Sequence, residues 1–339
     1  MTAYLDWIQR VTEACLTRRR VRLAREKAAR AVKKTFKGEL FSWLDAIVFA
    51  VIFVLLLNQY LFQLFMIPSP SMEETLLIKD RVFVSKTSYG IELYPGGPKI
   101  LDRRIPLRDD VIVFYNPEYE SKGPIFDVLS QIVYMASFSL VNIDVDDEGN
   151  MRERLYVKRA AALAGDTVRF SDGSLFLKSG GQPTFTAEKE YRRSAGLSEA
   201  PHQSIESSRY AGINAYGALM GYQEAGLSSA SPAYLLQAYR SVADYRGLVD
   251  HYQVEHARTR TLHQIDPSDI GARSLAARYE AGIYVPEGHV LPLGDNRDNS
   301  QDGRYFGPVE HKDVIGRVRF RFWPLGRMGG VSRVAHLPR

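Results

Sequence analysis

Two serines, Ser69 and Ser71, lie in the segment Ile67-Pro68-Ser69-Pro70-Ser71-Met72, where a long apolar run gives way to water-soluble sequence. A lysine, Lys158, ends the apolar run Leu155-Tyr156-Val157 and is followed by Arg159. Such residues can carry acyl transfer. A serine hydroxyl is a weak nucleophile and needs a base, usually a histidine oriented by a carboxylate. No histidine here lies beside a serine in a nucleophile motif. A lysine amine serves instead where it is neutral, and a dry pocket favours that form because the ammonium loses its solvation. The apolar neighbours of Lys158 and the run preceding Ser69 both point to such a setting.

A third segment, Gly294-Asp295-Asn296-Arg297-Asp298-Asn299-Ser300-Gln301-Asp302-Gly303-Arg304, has the Asp, Asn and Gly density of a hydrogen-bonded loop. It is not a calcium loop of the EF-hand kind, because the acidic pattern is out of register and no Glu stands at the twelfth position. No metal or cofactor is expected.

These segments must be held by the rest of the chain. Residues 46–67 form 22 positions without a charge, close to the roughly 20 that cross a bilayer as a helix. Trp43 and Tyr60 suit its interfaces. A cleaved signal peptide does not fit, since more than forty residues precede the run and no Ala-x-Ala site follows it. Residues 1–43 hold eleven Lys or Arg against four Asp or Glu, a net +7, so the rest of this +5 chain carries −2. That balance excludes a nucleic-acid reading for the body of the protein and leaves a membrane reading for the basic flank. Excess Lys and Arg stays in the cytoplasm, so the N-terminus is expected inside and everything after Ile67 outside. Residues 8–37 suit a basic helix, on anionic lipid or solvated. The single cysteine, Cys15, allows no intramolecular disulfide.

Beyond the anchor the pattern is mainly β. Strands are expected at residues 81–84 and 111–114, over residues 155–177 with a turn at Ala164-Gly165-Asp166, and over residues 314–322. Residues 180–280 differ in character and read as a largely helical insertion. Within it, residues 233–259 show Leu235, Leu236, Tyr239, Val242, Tyr245 and Leu248 at helical spacing. His251, His256 and His263 lack the spacing of metal ligands and read as scattered surface histidines. Residues 128–141 are a second apolar run, too short to span, expected as a helix that packs on the core or dips into the outer leaflet.

Three ordered motifs after an anchor resemble bacterial type I signal peptidases, the leader peptidases of the Ser–Lys protease family. They are Ile67-Pro68-Ser69-x-Ser71-Met72-x-x-Thr75-Leu76, Tyr156-Val157-Lys158-Arg159, and Gly294-Asp295-Asn296-Arg297-Asp298-Asn299-Ser300-x-Asp302-x-Arg304-x-Phe306-Gly307. The resemblance covers about 150 residues and leaves out the insertion. It implies Ser71 as nucleophile and Lys158 as general base. Ser300 is implied to orient the lysine, and Ser69 to join the Ser71 N–H in an oxyanion hole. Asp302 with Arg304, and Asp295 with Arg159, are implied as structural ion pairs. Ile67 and Val157 are implied to line pockets for small substrate residues, the substrate lying extended. Two positions depart from the family pattern. Glu74 replaces the usual proline and is expected to favour protonated lysine and raise the pH optimum. Arg108-Asp109-Asp110 replaces Arg-Gly-Asp, and Asp109 is expected to tolerate the turn.

The expected fold is a mainly β, signal-peptidase-like catalytic domain with an N-terminal transmembrane helix and a helical insertion. The expected division is 1–43 basic cytoplasmic segment, 44–67 anchor, 68–179 catalytic core, 180–280 insertion and 281–339 the rest of the core. The expected function is a hydrolase of protein secretion: a single-pass inner-membrane serine endopeptidase that cuts signal peptides after small residues, Ala-x-Ala in type. Its expected partners are preproteins, phospholipid and the export translocon, with no nucleic acid. A Ser–Lys membrane protease with one dedicated substrate and an anchored binding protein remain the alternatives. A repressor-type autoprotease with a DNA-binding tail is opposed by the apolar span.

Overall fold

The computed structural model describes residues 2–32, 36–100, 104–137, 140–146, 148–149, 152–197, 204–243 and 249–331. The chain divides into two compact units, Met1–Leu55 and Leu56–Arg339. The first holds helix α1, Thr2–Val32, and most of helix α2, Phe36–Tyr60. The apolar residues of α1 are not gathered on one face, which argues for a charged helix over one that sinks an apolar stripe into lipid. Within α2, residues Phe41–Tyr60 are long and apolar enough to cross a membrane. Lys33 and Lys34 of the basic flank lie outside the described residues.

The second unit opens with strand β1, Phe62–Met66, followed by β2 (Arg81–Ser85), β3 (Ile91–Glu92), β4 (Lys99–Ile100) and β5 (Val111–Tyr115). Helix α3 (Pro124–Ala136) precedes β6 (Leu155–Leu163), β7 (Thr167–Ser171), β8 (Ser174–Lys178) and β9 (Thr186–Ala187). Helices α4 (Glu188–Ser194), α5 (Tyr210–Glu224), α6 (Ala233–Arg240), α7 (His251–Ile265) and α8 (Ile270–Ala281) follow. The chain closes with β10 (Ile283–Tyr284), β11 (His289–Leu293), the short α9 (Gly303–Phe306), β12 (Val309–Glu310), β13 (Val314–Trp323) and β14 (Gly329–Gly330).

The main sheet has the order β1-β2-β13-β5-β6-β11-β12, with β14 added to β13. A smaller sheet runs β10-β7-β8-β9, and β3 pairs with β4. Strand β5 explains why the main sheet is central. Val111 and Val113 point into one apolar cluster with Phe65, Ile67, Met72, Val82 and Val84. Ile112 and Phe114, on the opposite face, join Ala160, Val290 and Val314 in another. The strand is thus buried on both faces, and its unbroken β-branched and aromatic run reflects that.

Three expectations are corrected. The apolar run through Ile67 does not stay helical: the helix stops at Tyr60, and Phe62–Met66 pairs antiparallel with β2 as an edge of the main sheet. Its alternate residues Gln63 and Phe65 face inward, so these residues belong to the catalytic sheet, not to the anchor. The histidines are not all at the surface, because His256 is buried and stacks on Tyr279 with ring centres 4.9 Å apart. The helix expected over residues 233–259 is two helices, α6 and α7; Tyr245 and Leu248 lie outside the described residues.

The insertion is built on a close approach of α5 to α7. A Cβ at Gly217 would lie 2.3 Å from the Val254 carbonyl oxygen and 2.9 Å from the Ala257 Cβ. Gly217→Ala is therefore expected to cost about 1–3 kcal/mol by overpacking. Thermal unfolding in detergent should show it as a Tm drop of roughly 2–4 °C per kcal/mol.

Candidate functional site

Ser71 lies in a 3₁₀ turn, Pro70–Met72, at the end of the chain that leaves β1. Pro70 presets the first turn position. Ser69 precedes it in extended conformation, and its side chain makes no capping hydrogen bond. The Ser69 and Ser71 hydroxyl oxygens are 3.3 Å apart. Ser71 is buried, and Met72 beneath it is inserted in the apolar cluster with Ile67. Val157 packs against the same cluster from β6.

Lys158 is buried on β6, one residue before Arg159. Its Nζ donates to the Ser300 Oγ at 3.1 Å. That is its hydrogen bond among the described residues, so Lys158 is bonded to a hydroxyl and not to a carboxylate. It is not bonded to Ser71 either, and contacts of this kind often tighten only when substrate is bound. Burial pushes the lysine pKa down, Asp302 and Glu153 pull it back, and it comes to rest at about 8. Glu74, expected to act on the lysine, does not figure among the charges that act most on it. Glu74 instead occupies the left-handed region at φ 73°.

The loop of residues 294–304 joins these parts. Asn296 donates its backbone N–H to the Ser71 carbonyl at 3.0 Å, and its Nδ2 donates to Pro70 O and the Glu73 carboxylate at 3.3 and 3.0 Å. Gly294 sits where the lysine's partner and the serine turn meet: a Cβ there would lie 2.2 Å from the Ser300 Oγ and 2.6 Å from the Ser71 carbonyl oxygen. No residue larger than glycine fits.

Two buried ion pairs hold the loop. Arg159 grips Asp295 with two donors, at 2.7 and 2.6 Å. Thr75 adds its hydroxyl to the same carboxylate at 2.6 Å. Burial pushes the Asp295 carboxyl up, but Arg159 and Thr75 outweigh it and hold the group below its ordinary value. Asp302 pairs with Arg304 at 2.9 Å and accepts the Gly294 N–H at 2.9 Å. Its carboxyl is likewise pushed up by burial and pulled further down by Arg304. Arg304 also reaches the carbonyls of Arg297 and Ser300, so the pair braces the turn that presents Ser300.

Asp109 does more than tolerate its turn. At φ 71° it takes the left-handed conformation that Asp adopts more readily than most residues. Its buried carboxylate meets Arg159 at 3.3 Å and Arg192 of α4 at 2.7 Å. Glu188, also on α4, reaches Arg297 at 2.7 Å. Asp298 accepts the Ile205 N–H at 2.7 Å and meets the Tyr210 hydroxyl at 3.3 Å. Sequence reasoning assigned no role to Thr75, Asp109, Asn296, Glu188 or Arg192. For the first and third, membership in the motifs was the available signal.

Among the described residues no group of three or more His, Cys, Asp or Glu is placed to hold a metal ion. The arrangement can support proton transfer between hydroxyls and an amine of lowered basicity in a dry, braced setting.

Comparison with known proteins finds signal peptidases. The signal peptidase I of Pseudomonas aeruginosa is 28% identical over 272 residues, 80% of this chain and 65% of that protein. That of Haemophilus influenzae is 25% identical over 288 residues, 82% of this chain and 70% of the relative. That of Helicobacter pylori is 24% identical over 296 residues, 86% and 84% respectively. The chain thus spans a little under two thirds of the Pseudomonas relative's length. The family description "Signal peptidase, peptidase S26" matches residues 40–323, through the insertion as well as the three motifs. With a match over most of its length, the chain belongs to the signal peptidase family, peptidase S26.

Proposed function

We propose that this protein is a membrane-anchored serine endopeptidase that removes signal peptides from exported preproteins, cutting after a small residue in an Ala-x-Ala context. The observation that carries the reading is Lys158: a buried amine with a pKa lowered to about 8, bonded to the Ser300 hydroxyl and set beside the Ser71 turn through Gly294. An amine in that state takes a proton from a hydroxyl where an ordinary lysine, already protonated, cannot.

The steps follow from the groups present. Lys158 accepts the Ser71 Oγ proton as Oγ bonds to the carbonyl carbon. The resulting oxyanion is held by the Ser71 N–H and the Ser69 hydroxyl, donors that match charge appearing only in the transition state. The carbon–nitrogen bond then breaks, and Lys158 returns its proton to the leaving amine. Water, deprotonated by the same lysine, releases the acyl group from Ser71. Ser300 orients the amine throughout. Ile67 and Val157 border the pockets for small substrate side chains, supported by their place in one apolar cluster.

The same reading places the basic N-terminal segment in the cytoplasm, the helix Phe41–Tyr60 in the inner membrane, and the catalytic domain outside, with the translocon as a neighbour. The catalytic core takes in β1, and residues 180–280 form a helical insertion within it.

Full-length protein in detergent should cleave several unrelated preproteins. Ser71→Ala and Lys158→Ala should each lower kcat by about 10³-fold or more, and wild-type cleavage by either variant sinks the proposal. The reactive lysine is the neutral form, so log(kcat/KM) should climb as pH rises and level off above about 8. A profile flat from pH 6 to 9 contradicts the role of Lys158. Ser300→Ala removes a hydrogen bond from the lysine as it becomes charged in the transition state, worth about 1.5–3 kcal/mol. Its kcat should fall roughly 10- to 150-fold, measured on the same substrate.

A further inference from the structure

Helix α3 is turned inside out. Its polar residues Asp127, Ser130 and Gln131 are buried, while Ile125, Leu129 and Ile132 are 78%, 53% and 39% exposed. These three lie at i, i+4 and i+7, one face of the helix. The buried polar face is firmly tied down. The Asp127 carboxylate accepts from the Ser121 hydroxyl at 2.6 Å and meets the Tyr119 hydroxyl at 3.0 Å. Arg154 donates to the Asp127 carbonyl at 2.8 Å, and the Tyr134 ring packs against Phe65 of β1 with centres 6.3 Å apart. The helix therefore cannot rotate its aliphatic face inward without breaking these bonds. Past its end, Leu140, Val141 and Ile143 are also exposed.

We propose that this aliphatic face rests in the bilayer, at the boundary between headgroups and acyl chains. Two observations select lipid over a protein partner. The three exposed residues of the face are aliphatic, whereas protein interfaces are anchored by Tyr, Trp and Arg. The strand that α3 packs on is joined to the membrane-length helix by Leu61 alone. From Tyr60 to Phe65 the extended chain spans at most about 17 Å, so α3 is tethered within reach of the bilayer surface. A helix of 13 residues is about 20 Å long and lies along that surface. The inference rests on the proposed function and deepens it, since Tyr134 of this helix packs on the apolar cluster that holds Met72, next to Ser71, and lipid contact at the helix keeps that cluster near the membrane that delivers a signal peptide.

The test reads lipid contact directly. In full-length protein carrying Cys15→Ser, a bimane fluorophore is attached at Ile125→Cys, Leu129→Cys, Ile132→Cys or, as a control, Tyr234→Cys on α6. Each protein is reconstituted into phosphatidylcholine–phosphatidylglycerol vesicles with brominated acyl chains. Quenching at 125, 129 and 132, at least threefold stronger than at 234, is expected. Equal quenching at all four positions overturns the proposal, as does energy transfer between labelled copies without bromolipid quenching, which marks a second copy as the occupant. Ile125→Asp/Leu129→Asp should cut cleavage of a membrane-inserted preprotein about tenfold and leave a short soluble peptide unaffected. If wild-type protein cleaves neither substrate, the proposed function fails, while the quenching result still decides the lipid contact.

Discussion

A lysine acts as a base only while it is unprotonated, and that makes the desolvation of Lys158 the constraint on which the rest of the proposed site depends. The difficulty is that a braced loop needs buried carboxylates, and a carboxylate beside a lysine restores its proton. Asp295 and Asp302 both act on Lys158 in that sense. Each is occupied by its own guanidinium, Arg159 for Asp295 and Arg304 for Asp302. The arginines stay charged at any working pH and bind carboxylate with a rigid fork, so the negative charge is spent on them. What remains of the field offsets the burial of Lys158 only in part. Buried ion pairs are seldom a net gain in stability. Here they keep the loop in place without handing the lysine a counter-ion.

The same ionic logic extends into the insertion. Asp109 bridges Arg159 of the core to Arg192, and Glu188, one helical turn from Arg192, bridges onward to Arg297. Arg297 and Asp298 are thus held from residues 180–280, three and two positions before Ser300. Residues 180–280 therefore contribute buried partners to the loop that carries Ser300. Hydrogen-bonded charges in a low-dielectric interior reinforce one another. The aspartate at position 109 makes this connection possible, because its carboxylate reaches both Arg159 and Arg192.

The strands at β2, β5 and β13 were legible because β-branched and aromatic runs bounded by Pro, Gly and Asp have few other uses. The three motifs located Ser71, Lys158 and the loop because their residues are contiguous. Strand β1 was not legible: Phe62–Met66 continues an apolar run, and hydrophobicity alone does not separate a buried strand from a membrane helix. The alternation that buries Gln63 and Phe65 was the faint signal. The Asp109–Arg192–Glu188–Arg297 chain was hidden for a different reason. Its members are scattered over nearly 190 positions, and only the fold brings them together. The inversion of α3 was unreadable in the same way, since a helical pattern shows that two faces differ but not which is covered.

Lys86 shows what distinguishes a site from a buried lysine. It too is buried, and burial lowers its pKa to about 8 against the pull of Glu92. Its surroundings are otherwise those of a structural pair. The Glu92 carboxyl is raised by the same burial, drawn partly back by Lys86, and accepts from Tyr115 at 3.1 Å, so lysine and glutamate each favour the other's charged form while burial opposes both. Lys158 has the same lowered basicity but is bonded to Ser300, and Ser300 and the Ser71 carbonyl crowd the same glycine. Lowered basicity is common to both lysines, and what sets Lys158 apart is the loop of residues 294–304, which holds a hydroxyl on its amine and packs against the Ser71 turn.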